Sequence, residues 1–113
     1  MSQYVIYFNQ QWVGDHSAEW FAERGPLANA VVSEMRDAGV LVFAAGVDED
    51  VDAAVTADAT SGTVTFARGL YAPGEQYIGG LTIIDAADDE VAKEWGGRIA
   101  EARGWPQQIR RVY

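Results

Sequence analysis

The stretch Arg68-Gly69-Leu70-Tyr71-Ala72-Pro73-Gly74-Glu75-Gln76-Tyr77-Ile78-Gly79-Gly80-Leu81-Thr82-Ile83-Ile84-Asp85 joins a Gly/Pro-rich loop to a strand that opens on two glycines and runs into an acidic turn. Glycine and proline mark the loop, and the apolar, partly β-branched run behind them marks the strand over Tyr77 to Ile84. Upstream, Ala54 to Ala57 and Thr63 to Ala67 flank a turn at Ser61-Gly62 and read as a hairpin. Downstream, Asp85 to Asp89 offers caps and negative charge for the positive end of a helix. Its apolar stripe is Val91, Trp95, Ile99 and Ala102, and Gly104 ends it.

The flanks complete the pattern. Tyr4 to Phe8 is a short apolar run rich in aromatic and β-branched residues and reads as a buried strand; Val40 to Val47, apolar on both faces, reads as a strand covered on at least one face by helices. Between them Ser17 caps a short helix running to Arg24, which Gly25-Pro26 interrupts. A second helix starts at Pro26 with Leu27, Ala28, Val31, Val32, Met35 and Ala38 on one face. Gln107 to Tyr113 is the last strand. The order β-α-β-β-β-β-α-β describes an α+β ferredoxin-like sandwich: an antiparallel sheet with an inserted hairpin and both helices on one face. The opposite face would be apolar and bare, so a homodimer formed face to face is expected.

A chain of 113 residues is expected to make a single domain over residues 1–113. Net charge is −9, with one lysine against seven arginines, so nucleic acid and anionic membrane surfaces are not expected partners. No run approaches the roughly eighteen apolar residues of a membrane span. Met1-Ser2-Gln3-Tyr4 carries no leader pattern, and cysteine is absent, so a cytoplasmic location is expected. Absence of cysteine also removes thiolate chemistry. Asp48, Asp50 and Asp52 alternate like a calcium loop, but Ala53 and Ala59 stand where that loop needs glycine and glutamate. Neither a metal nor a cofactor is expected.

The loop and the strand behind it resemble the DGPF type of the YCII-related proteins, whose segment reads roughly D-G-P-F-A-E-x-K-E-Q-L-G-G before a hydrophobic strand. Glu34-Met35-Arg36-Asp37-Ala38-Gly39-Val40-Leu41 is similar to that family's helix end E-L-R-A-A-G-V-L, and the acidic-capped second helix with Glu94-Trp95 resembles theirs. The resemblance implies a dimeric α/β barrel, similar in architecture to muconolactone isomerases and antibiotic-type monooxygenases. Gly69, Ala72, Gly79 and Gly80 match the segment. Arg68, Leu70 and Tyr71 replace its Asp, Pro and Phe, while Pro73, Glu75 and Gln76 replace its Glu, Lys and Glu. The loop geometry carries over and the charged groups do not. The His-Asp pair of some YCII-like relatives has no counterpart within the first helix here.

Candidate chemistry is sparse. Arg68, Tyr71, Glu75 and Tyr77 are the expected ligand contacts: an arginine clamps a carboxylate with two parallel hydrogen bonds, and tyrosines offer flat apolar surface with a hydroxyl. The glycines around them either admit a ligand or permit a bend. His16, the only histidine, and Glu75 are the candidate general bases; the simpler account of His16, beside Asp15 and Ser17, is loop and cap. Trp12 lies in a loop with no periodic reason for burial. The expectation is a small-molecule binder for an organic or aromatic ligand. The alternatives are a cofactor-independent isomerase, lyase or monooxygenase using His16 or Glu75, and a protein-interaction module tied to transcriptional regulation.

Overall fold

A computed structural model describes residues 1–113. Strand β1 (Ser2–Asn9) is followed by a short 3-10 turn and helix α1 (Ala18–Asp37). Next come β2 (Leu41–Gly46), a hairpin of β3 (Val55–Asp58) and β4 (Thr65–Arg68), and β5 (Ile78–Ala86); α2 (Asp89–Arg103) and β6 (Gln108–Val112) complete the chain. The main sheet has the order β2-β5-β1-β6 with every neighbour antiparallel. This α+β arrangement is consistent with a ferredoxin-like fold, with β3 and β4 forming a separate two-stranded sheet.

The two-residue period of β1 explains the layer. Tyr4, Ile6 and Phe8 are buried, and with Ile84 and Ala86 of β5 they face the helices. Val31 and Met35 of α1 and Ala92, Ile99 and Ala102 of α2 close the core from above. On α2, Ala92 and Gly96 lie deepest, while Val91 and Trp95 pack at the margin. Small residues are needed there because a Cβ on Gly96 would collide with the Ile109 side chain of β6.

One expectation is corrected. Gly25-Pro26 does not divide the first helix: α1 runs unbroken from Ala18 to Asp37 with Pro26 inside it. Proline removes one N–H, the one that would serve the Ala22 carbonyl. Ala22 and Pro26 both lie on the exposed side, where water can take that bond. Ser17 caps the start, its hydroxyl accepting from the Trp20 N–H at 3.1 Å. Asp88 caps α2 through the Val91 N–H at 3.0 Å, and Gly104 ends it in the left-handed region at φ 86.

The opposite sheet face carries Phe43 of β2, Val5 and Tyr7 of β1, Leu81 and Ile83 of β5 and Val112 of β6, with no helix over it. Trp12 covers one end, its ring centroid 6.1 Å from that of Tyr7 and its indole N–H donating to Gln76. The hairpin also stands apart: Val64 and Phe66 are exposed on one of its faces, and so is Val55. The Cα radius of gyration is 16.2 Å, against about 13 Å for a compact chain of this length. The molecule measures 46 × 38 × 18 Å. No helix is long and apolar enough to cross a membrane.

Candidate functional site

The sheet order fixes which chain ends meet. β1 runs antiparallel to β5, and β5 to β2, so the end of β1, the start of β5 and the end of β2 share one edge of the molecule. The start of α1 and the end of α2 lie over that same edge. There they border an open cleft of about 860 Å³, whose walls include Phe8, His16, Phe21, Gly79, Arg103 and Trp105, with Gln10, Asp15 and Glu49 also lining it.

Aromatic packing builds the walls. Phe8 and Trp105 meet edge to face with centroids 5.2 Å apart. The His16 ring stacks on Trp20 at 3.6 Å and meets Phe21 edge-on at 5.8 Å. Trp20 is backed by Gly104, where a Cβ would lie 2.7 Å from the indole. The Arg24 guanidinium sits 5.0 Å from the Trp20 ring and donates to the Glu101 carbonyl, tying α1 to α2 beside the cleft.

Gly79 and Gly80 are buried, and the Phe8 ring fills the space their side chains would take: a Cβ on Gly79 would lie 2.5 Å from it, and one on Gly80 2.9 Å. This double glycine therefore admits a wall of the cleft, an internal aromatic rather than a ligand.

Arg103 is half-buried in the last turn of α2, 5.6 Å from the Phe8 ring centroid and 5.9 Å from that of Trp105. Burial lowers its pKa below the ordinary arginine value. It makes neither an ion pair nor a hydrogen bond within the protein; the two ion pairs present join Arg98 to Glu34 and Lys93 to Glu90. The indole nitrogen of Trp105 is buried and likewise without an acceptor.

His16 points one ring nitrogen, Nε2, at the Val13 carbonyl, 3.0 Å away. A carbonyl only accepts, so Nε2 carries the proton and Nδ1 holds the lone pair when the ring is neutral. Asp15 does not hydrogen-bond to it, so no His-Asp pair forms.

The other sequence candidates lie in a second, shallower place. Arg68, Glu75 and Tyr77 line a groove of about 320 Å³ together with Gln11, Asp52 and Leu70. Tyr71 is 78% exposed and lies outside it. Gln11 borders both the groove and the cleft and accepts from the Tyr77 N–H at 3.2 Å, so the two are neighbours. Glu75 is exposed, with its backbone N–H turned back to Ala72. The acidic run closes on itself: Asp48 accepts from the Asp50 N–H and Asp50 from the Asp52 N–H, successive turns held by side-chain oxygens. No group of three acidic or histidine side chains is placed to hold a metal ion.

Arg103, Trp105, Phe8 and Phe21 were not singled out by the sequence. The available signal was the placement of Arg103-Gly104-Trp105 at a helix end that the strand order turns toward the end of β1. No family model matches the chain, and no curated protein matches it at a significant level.

Proposed function

We propose that the protein binds a small organic molecule in the cleft between the helices and the sheet, and that it does so as a homodimer. The observation that carries this reading is the cleft itself. It is of a size suited to a small ligand, has Phe8, Phe21 and Trp105 in its walls, and presents polar groups in Gln10, Gln11, Asp15, His16, Glu49 and Arg103.

Homodimer formation rests on the bare sheet face and the exposed hairpin. Phe43 is 53% exposed and Phe66 72%. A two-stranded hairpin is marginal in water, and its apolar face asks for a cover. Two sheets facing each other at about 10 Å would form the closed arrangement of a dimeric α/β barrel, with the helices outside. The sequence resemblance to the YCII-related proteins favours the same assembly.

A catalytic version has one supporting feature, the free Nδ1 of His16 at the cleft. It meets the first requirement of a general base, a lone pair within reach of a bound molecule. Glu75, in the neighbouring groove, is the less favourable candidate.

A thermal-shift screen against organic acids, aromatic metabolites and divalent metals tests the binding reading. A ligand at 100 times its dissociation constant adds about 2.7 kcal/mol, several degrees in a domain of this size. A hit that is lost on Phe21→Asp, which places charge in the cleft wall, supports it. A hit unaffected by that change but lost on Arg68→Ala moves the site to the groove and contradicts it.

A further inference from the structure

We propose that the cleft takes a monocarboxylate carried on a flat aromatic body, with Arg103 holding the carboxylate; this rests on the ligand-binding reading above. The chain carries seventeen carboxylates, yet the half-buried Arg103 guanidinium pairs with none of them. The guanidinium is partly shielded from water and unpaired, and a ligand anion entering the cleft beside the packed Phe8 and Trp105 rings would give it a partner. The planar fork of arginine matches a carboxylate through two parallel N–H bonds. Trp105, whose buried indole N–H has no acceptor in the protein, lines the same cleft.

The surroundings set the rest of the ligand. Phe8, Phe21 and Trp105 present ring faces and edges suited to a flat apolar body rather than a sugar or a phosphate ester. Asp15 and Glu49, both exposed, also border the cleft, and the carbonyl end of α2 lies beside it. These negative groups are offset by one guanidinium and leave no cation for a second ligand charge. Selection therefore runs toward one carboxylate and against dianions.

Isothermal titration of the purified protein with 2-naphthoate, 2-naphthamide and naphthalene-2,3-dicarboxylate separates these requirements. 2-Naphthoate is expected to bind saturably, with the neutral amide and the dianion each weaker by roughly ten-fold or more, the scale of one charge-assisted contact. Arg103→Gln should bring naphthoate down to the level of the amide, with Arg103→Lys intermediate because it keeps the charge and loses the fork. Circular dichroism melts check that both variants fold. If Arg103→Gln does not fold, the three ligands on the unaltered protein still decide. Equal affinity for acid and amide overturns the carboxylate inference while leaving cleft binding standing. Tighter binding of the dianion overturns the charge selection. No binding by any of the three overturns the inference, and the wider screen then decides the cleft reading separately.

Discussion

At the scale of single residues, the cleft is shaped by what is missing as much as by what is present. The Phe8 ring occupies the space above Gly79 and Gly80, so Gly79→Ala is expected to destabilise the fold by about 1–3 kcal/mol, the usual cost of overpacking. Phe8→Leu should relieve much of that cost, so a double-mutant cycle in denaturant should show strong coupling; simple additivity would mean the two sites do not touch. Tyr4 offers a pH test. Its hydroxyl donates to Asp89 at 2.5 Å, and this bond, then burial, holds the phenol above the ordinary value of 10.0. A phenol kept neutral in the fold contributes stability that is fully present below the unfolded value and is lost as pH rises past it through the folded one. Melting temperature should therefore fall above about pH 10, and the fall should be shallower in Tyr4→Phe.

At the scale of elements, the strands and the second helix were legible in the sequence because their signals are local. Tyr4 to Phe8 is an unbroken run of aromatic and β-branched residues that reads as a strand, and Gly104 sits at the left-handed cap that ends α2. The first helix was not, because a proline is a local stop signal while the reasons to continue are tertiary. Ala28, Val31 and Met35 are buried, Trp20 rests on Gly104, and Arg24 reaches the Glu101 carbonyl. Those contacts hold both halves of α1 in line across Pro26. Pro26→Ala should consequently restore the bond to the Ala22 carbonyl and stabilise the protein by about 1–3 kcal/mol in chemical denaturation. A loss of stability would show that the proline fits a bend the packing requires. Site residues divide in the same way. Arg68, Glu75 and Tyr77 were visible as a loop cluster and do share a groove, whereas Arg103 and Trp105 meet Phe8 only through the strand order.

At the scale of the whole molecule, a slab 18 Å thick carries its helices on one face and leaves the other bare. The bare face includes Phe43 on an edge strand and Tyr7 beneath Trp12, both apolar surfaces beside polar rims. Sedimentation equilibrium should give the mass of a dimer, and Phe43→Asp should shift it toward the monomer at micromolar concentration by burying an unpaired charge in the interface. A monomer for the unaltered protein would contradict the assembly. The chain's net charge of −9 adds a condition: two acidic copies repel, so the dimer should tighten with moderate salt.

Where a ligand sits decides between the cleft and the neighbouring groove. The four tryptophan indole N–H signals in a two-dimensional ¹H–¹⁵N spectrum report on it directly, because Trp105 lines the cleft and Trp20 stacks on its His16, while Trp12 and Trp95 lie elsewhere. Titration with 2-naphthoate should move the Trp105 and Trp20 signals in a saturable way and leave Trp12 and Trp95 nearly fixed. Saturable shifts confined to the Gly69–Tyr77 loop, with the Trp105 and Trp20 signals unmoved, would place the site in the neighbouring groove and contradict the cleft.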